Sequence, residues 1–488
     1  MIQRLREILF QNRSTKQTIA KNFFWLTISQ VGSRLIRAGL IIYAARILGV
    51  AEYGIFSYVL GLAGFFTIFA DISLSPILTR EAAKKPEERT RYFATIFWLK
   101  IFLLIFTAAL IIFTAPYFSK IEEAKTLLWL VALLTIFDGL RDFAIAFFRS
   151  FEKMEWEGFV NLFTNITITI FGGLILYYSA TAKTLFIAYI TASGLGAIAA
   201  FLLIRGYLRQ IFSSFDKTLI KPILHSVLPM TMIGLLGAFM VNVDLVMLGW
   251  LKTANEVGWY SAGQKIIMVL YTIPAIFAVS AFPALARFAE NKNKENSRKI
   301  MEKITALSLM LAIPIAVGGL ILAKPIIIFL YGTDYLPSVI AFQILLLPLL
   351  LIFPGQAIGN FIIANDQQKK AAGYAAVASI ANIVLCYILI PKYGIAGAAA
   401  ATLFSQIFYN AMAWRLSKKI TDFAILTNIK KIAGGGIVIG LIAFFLNQLG
   451  FNVLINIFIS AAGYFGFLYI IKEKMIFETK ELLTKIRS

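Results

Sequence analysis

The sequence predicts an all-α polytopic membrane protein of about fourteen transmembrane helices. Three observations support this fold class. The first is composition: 59% of the 488 residues are hydrophobic and mean hydropathy is +0.81, against roughly 45–50% apolar residues in soluble domains. That much apolar surface exceeds what one soluble core buries, so lipid must be the solvent for part of it. The second is length: each apolar run approaches the roughly 20 residues that a crossing needs, and fourteen such runs use about 60% of the chain. The third is a loop charge that alternates from one connection to the next.

Taken in order, residues 1–22 place Ile2, Leu5, Ile8 and Leu9 on one helical face and Arg4, Arg6, Arg13 and Lys16 elsewhere. That pattern suits a helix on the inner membrane surface; it is too polar for the core of a cleavable signal. Apolar runs follow at 23–48, 53–78, 92–118, 124–148, 158–180 and 184–206, which form an expected first lobe over 23–206. A basic linker, 207–222, leads to runs at 223–250, 258–285, 301–330, 336–363, 371–390 and 394–416, an expected second lobe over 223–416. Two more runs occupy 431–448 and 451–471, and 472–488 is a polar tail. Backbone groups in lipid must bond within the segment, so these runs are helices rather than strands.

One set of loops carries Arg80, Lys84, Lys85, Arg89 and Arg91, then Arg149 and Lys153, then Arg205, Arg209, Lys217 and Lys221. The same set continues with Arg287 through Lys303, Lys369 and Lys370, and Arg415 through Lys431. The opposite set holds only Lys120, Lys125, Lys183, Lys252 and Lys392, with Lys324 near a boundary. The positive-inside rule places both termini in the cytoplasm of a multi-pass cell-membrane protein, which requires an even number of spans. The net charge of +21 is thereby explained by inner loops and anionic headgroups, and no nucleic-acid partner is expected. A single cysteine, Cys386, excludes internal disulfides and thiolate clusters; a single histidine, His225, argues against His metal sites and catalytic triads. There is no Walker A sequence, so ATP hydrolysis by this chain is not expected; no catalytic residue, metal or cofactor is expected either. Gly194, Gly196 and Ala199 fit a dinucleotide motif by letters only, inside an apolar helix. Asn165-Ile-Thr167 is a sequon by letters only, and Gly436 and Gly440 suit close helix packing.

Two stretches about 204 residues apart are alike: Glu52-Tyr-Gly54-Ile-Phe56-Ser57 and Glu256-Val-Gly258-Trp-Tyr260-Ser261. Each opens the second span of its half, and each span closes on Pro-x-Leu-x-Arg, at Pro76 to Arg80 and Pro283 to Arg287. Spans 1–6 and 7–12 therefore read as parallel repeats, a recurring transporter design with its site at the repeat interface.

The run from Ala45 and Arg46 through Gly49, Glu52, Tyr53, Gly54 and Phe56, followed by Asp71, Leu74, Arg80 and Glu81, resembles the opening of the polysaccharide-biosynthesis flippases. These belong to the multidrug/oligosaccharidyl-lipid/polysaccharide exporter superfamily. Pro229 through Asp244, Leu248-Gly249 and Val257 to Ser261 resemble the start of that family's second half. The chain departs at Ser73, where the family usually has Gly. The resemblance implies two six-helix lobes, a central cavity, alternating access and a lipid-linked oligosaccharide as substrate, on a polyprenyl phosphate or pyrophosphate. Glycan assembly enzymes are implied as further partners beside the membrane lipids.

Charges within spans are costly and are functional candidates. Arg34 and Arg37 lie three apart on the first span; Arg141 lies between Asp138 and Asp142 on the fourth. Lys100, Asp71, Asp244 and Lys265 lie on the third, second, seventh and eighth. Guanidinium groups in a wet cavity suit a lipid phosphate, which makes Arg34, Arg37, Arg141 and Lys265 the expected substrate-binding cations. Asp71, Asp138 and Asp244 are expected either to couple an ion or to pair with these cations, Asp71 with Arg34 or Arg37 and Asp244 with Lys265. Lys100 is expected to reach the inner surface, and Arg46 to pair with Glu52. Coupling to H+, Na+ or membrane potential completes the expected secondary flippase. Its rivals are a cation-coupled multidrug exporter of the same superfamily and a membrane glycan polymerase or glycosyltransferase, which needs a sizeable outer loop or a soluble domain with acidic catalytic groups, whereas no loop in this sequence is long enough for either. A scaffolding role leaves deep arginines unexplained.

Overall fold

The computed structural model describes residues 15–291, 293–424 and 429–473. The surface helix expected over 1–22 lies outside the described residues as far as residue 14, and the expected tail does so from residue 474. Among the described residues every regular element is helical. In chain order they are α1 (Thr15–Asp71), α2 (Leu74–Lys84), α3 (Arg89–Thr114), α4 (Leu128–Ser150), α5 (Met154–Tyr178) and α6 (Ala182–Leu203). Next come α7 (Ile220–Leu251), α8 (Ala254–Leu270), α9 (Thr272–Glu290), α10 (Lys294–Tyr331), α11 (Ser338–Leu346) and α12 (Leu349–Ala364). The last are α13 (Gln368–Ile420), α14 (Ile429–Gln448) and α15 (Val453–Ile470), and single turns link several of them. By length and composition, eight helices of the described residues suffice to cross a bilayer, or nine if the bent pair α11–α12 is one span.

The long helices are kinked where the sequence reading separates two spans. α1 has 57 residues, about 85 Å of helix against a hydrocarbon core of about 30 Å. It breaks at Gly49, with φ 72° and ψ 176°; α13 breaks at Gly394, with φ 53°. Both values lie where only glycine is free of steric cost.

The second span departs from expectation. It does not run unbroken over 53–78: α1 ends at Asp71, and Ile72 (φ 38°) and Ser73 (φ 65°) turn the chain before α2. Ser73, where the resemblance leads one to expect Gly, sits in the left-handed region that glycine enters without steric cost. One carboxylate oxygen holds the break: Asp71 Oδ1 accepts from the Ser75 backbone N–H (3.2 Å), the Ser75 hydroxyl (2.8 Å) and the Lys100 ammonium (2.7 Å). The Ile72 carbonyl, freed by the turn, accepts from the Thr231 hydroxyl of α7 at 2.8 Å. A side chain in the left-handed region costs about 1–2 kcal/mol, part of which glycine loses to unfolded-chain entropy. Ser73→Gly is therefore expected to stabilise the protein by about 1 kcal/mol, read as a higher unfolding midpoint in detergent. The run expected over 258–285 is likewise broken, at Tyr271 between α8 and α9. Pro76 and Pro274 each stand third in the helix after a break, where the missing N–H leaves no bond unmade. α11 and α12 meet at 41° on either side of Leu347 and Pro348.

The chain forms two compact units, Met1–Gly258 and Trp259–Ser488. In the first, α1 packs along α5, and α6 packs against both α4 and α5. α2 buries Leu74, Ile77 and Leu78 against Phe93, Phe143 and Phe147, with the Phe93 ring 4.2 Å from that of Phe147. Where α1 begins, buried Lys21 pairs with Glu155 at 2.7 Å, and Arg149 grips Glu157 through two hydrogen bonds of 2.8 and 2.6 Å.

The repeat has a physical counterpart inside this unit. A Cβ built on Gly54 would overlap the Ala254 carbonyl oxygen, and one on Gly258 would overlap the Val50 carbonyl oxygen. The two contacts are reciprocal and share the offset that separates Glu52 from Glu256, as a pseudo-two-fold axis requires. In the second unit, a Cβ on Gly436 would lie 2.8 Å from Ile313 and one on Gly440 3.2 Å from Val317. The G-x-x-x-G thus seats α14 on α10. Tyr464 of α15 donates to the Met310 carbonyl at 2.8 Å.

Candidate functional site

An ionised side chain deep in an apolar helix must find an opposite charge or water. The first unit answers this differently for each of its deep cations. Arg34 is exposed and has no hydrogen bond or ion pair to any described residue. Arg37, one turn on, is half-buried. Its Nε donates to Asn165 Oδ1 of α5 at 3.1 Å, and its guanidinium lies 5.9 Å from the ring centre of Tyr189 on α6. Asn165 is itself oriented, because its amide donates to the Asn161 carbonyl at 2.8 Å. An amide and a ring hold the geometry of Arg37 without cancelling its charge. Among the described residues neither arginine touches a carboxylate.

The other deep cations are matched. Arg141 on α4 is held by its own helix, 2.8 Å from Asp138 Oδ1 and 3.2 Å from Asp142 Oδ1. Its side chain is 14% exposed, whereas those of Asp138 and Asp142 are 36% and 53% exposed. The acids therefore present the accessible face, and the trio sets two carboxyls against one guanidinium. Asp71 does not pair with Arg34 or Arg37 as the sequence suggests; its partner is Lys100. Nor does Lys100 reach a surface, since its side chain is 2% exposed. The reason is the helix break, which aims the Asp71 carboxylate at Ser75 and α3 rather than along α1. Lys100 and Asp71 thus tie α3 to α1, and Arg37 ties α1 to α5 and α6.

Asp244 is buried near the end of α7 in the first unit, and half-buried Lys265 belongs to the second; each is engaged by an interaction. Glu52 accepts from the Ala182 backbone N–H at 2.6 Å and so serves the start of α6. Asn165 and Tyr189, which hold Arg37, are the neighbours that a census of charges overlooks. A polar amide and a phenol at mid-span in apolar helices were the available signal.

Among the described residues this is an all-helical, multi-pass membrane protein with broken spans, in which some deep charges are matched and two guanidiniums touch no carboxylate. Comparison with known proteins narrows the class. The family described as "Polysaccharide biosynthesis protein" matches residues 19–289, and the chain belongs to that family. A second family, MatE, matches residues 229–388. The "Putative O-antigen transporter" of Shigella flexneri is 25% identical over 402 residues, covering 78% of this chain and 93% of the relative. The "Capsular polysaccharide biosynthesis protein CapF" of Staphylococcus aureus is 21% identical over 395 residues, covering 80% and 96%. Among solved structures, the fold is shared with "Lipid II flippase MurJ, inward closed conformation", at a TM-score of 0.73 and 20% identity over 92% of this chain and 99% of that one.

Proposed function

We propose that this chain is a flippase that moves a lipid-linked oligosaccharide, borne on a polyprenyl phosphate or pyrophosphate, from the inner to the outer leaflet by alternating access. The observation that carries the proposal is the pair Arg34 and Arg37, one turn apart and touching no carboxylate among the described residues. Guanidinium forks accept phosphate oxygens in pairs, so an anionic headgroup supplies the missing counter-charge. The names of the relatives, an O-antigen transporter and a capsular polysaccharide biosynthesis protein, support a glycan cargo and a transporter rather than an enzyme.

In this reading each kinked helix makes two crossings, which supports fourteen in total with both termini in the cytoplasm of the cell membrane. A potential negative inside favours outward movement of anionic phosphate by roughly 2.3 kcal/mol per charge per 100 mV. Asp138 and Asp142, two carboxyls against one guanidinium, offer a place for a coupled H+ or Na+. Assembly enzymes for the same glycan are the natural neighbours on the loading side. The MatE match favours a second reading, a cation-coupled drug exporter, but Arg34 and Arg37 on α1, which touch no carboxylate among the described residues, repel a cationic cargo.

The test is a proteoliposome assay that measures how much added lipid-linked oligosaccharide becomes accessible to an outer-face glycosidase. The proposal predicts time-dependent exposure that needs the protein and is not driven by cationic dyes. Dye transport with no exposure of glycan would establish the exporter instead.

A further inference from the structure

Beyond α6 the chain makes short helical turns at Arg205–Tyr207, Gln210–Ser213 and Lys217–Leu219. This basic stretch is fastened to α3 along its length. Trp98 donates its indole N–H to the Ile211 carbonyl at 3.1 Å, and the Thr95 hydroxyl accepts from the Asp216 backbone N–H at 3.1 Å. The Asp216 carboxylate takes Arg91 Nε at 3.1 Å and also bonds Arg91 Nη2, while its other oxygen caps Thr218. Bonds from the Thr218 hydroxyl and from Arg91 hold the Asp216 carboxyl at about 2, so this clasp stays charged at neutral pH. Ile211 is buried in the core between α2, α3 and α4.

Such firm anchoring makes the exposure beside it informative. Phe212 is 76% exposed, and its ring stands edge-on to Trp98, itself 39% exposed, at 5.6 Å. These rings continue a bare apolar stripe on α3, in which Phe102 and Ile105 are 66% and 63% exposed. Around them Arg205, Arg209, Lys217 and Lys221 are exposed, and Asp216, the one acid of the stretch, is already engaged by Arg91. A loop in water gains nothing by pinning a phenylalanine outward. At a bilayer surface the ring enters the acyl boundary while the cations meet phosphates.

We infer that residues 205–221, clasped to α3, form an in-plane membrane foot that seats Phe212 in the bilayer and binds anionic phospholipid headgroups through Arg205, Arg209, Lys217 and Lys221. The inference stands independently of the cargo. It is tested by spin labels in a Cys386→Ser background, at Phe212→Cys and, as an aqueous reference, at exposed Glu87→Cys. Relaxation by oxygen and by a water-soluble nickel chelate is compared in zwitterionic and in phosphatidylglycerol-containing vesicles. The expected result is that oxygen dominates at 212 and nickel at 87. The 212 label should also sit deeper in anionic vesicles, a difference lost when the four cations are changed to glutamine. Nickel dominance at 212 in both vesicle types would overturn the inference. So would a depth at 212 indifferent to anionic lipid and to the four charges.

Discussion

Arg37→Ala is expected to slow flipping of a phosphate-bearing lipid-linked sugar roughly 10- to 100-fold, since a hydrogen-bonded charge contact is worth about 1.5–3 kcal/mol. The loss should appear without loss of folded protein, because the Nε bond to Asn165 is the one hydrogen bond that Arg37 makes to a described residue. Arg37→Lys keeps the charge but forfeits both the fork and the Asn165 bond, so it should fall between. Asn165→Ala leaves the charge and removes its support, and should cost less than Arg37→Ala. Initial rates in proteoliposomes, normalised to reconstituted protein, order the three variants. If they ran at the wild-type rate, Arg37 would be structural.

The second large effect concerns the reciprocal glycine contact. Gly54→Ala forces a methyl group into the Ala254 carbonyl, and a backbone atom cannot rotate away. Overpacking of this kind costs about 1–3 kcal/mol. Gly39→Ala, on the same helix, is the matched control: nothing lies within 4 Å of its added Cβ, and Ala gains about 0.5–1 kcal/mol over Gly within a helix. The two alanines should therefore move the unfolding midpoint in detergent in opposite directions. Equal shifts would mean that the Gly54 and Gly258 faces do not meet.

The apolar runs and the repeat were legible in the sequence because each is a local pattern. Lipid fixes helix as the element, and a short motif at a constant offset fixes the correspondence between halves. The reciprocal Gly54 and Gly258 contacts follow from that same offset. The break after Asp71 was not legible: Ser73 carries no obvious turn signal, and only its left-handed backbone explains why a glycine suits the position. Nor does composition reveal which charge meets which. Asp71 and Lys100 lie on different helices, and their pairing depends on rotation and register set by the break. Arg141 was the easier case, because its two acids are neighbours on one helix. Asn165 reads in the sequence only as part of a sequon, because an amide carries no net charge, yet its bond to Arg37 is what points that guanidinium.

Binding of two matched lipid-linked sugars, one joined through an ionised phosphate and the other through a neutral linker, tests the central claim most directly. Wild-type protein should prefer the charged form by roughly 10- to 100-fold, and the double variant Arg34→Gln, Arg37→Gln should lose that preference while binding the neutral form as before. Equal wild-type affinity for the two lipids, or an undiminished preference in the double variant, would contradict the account.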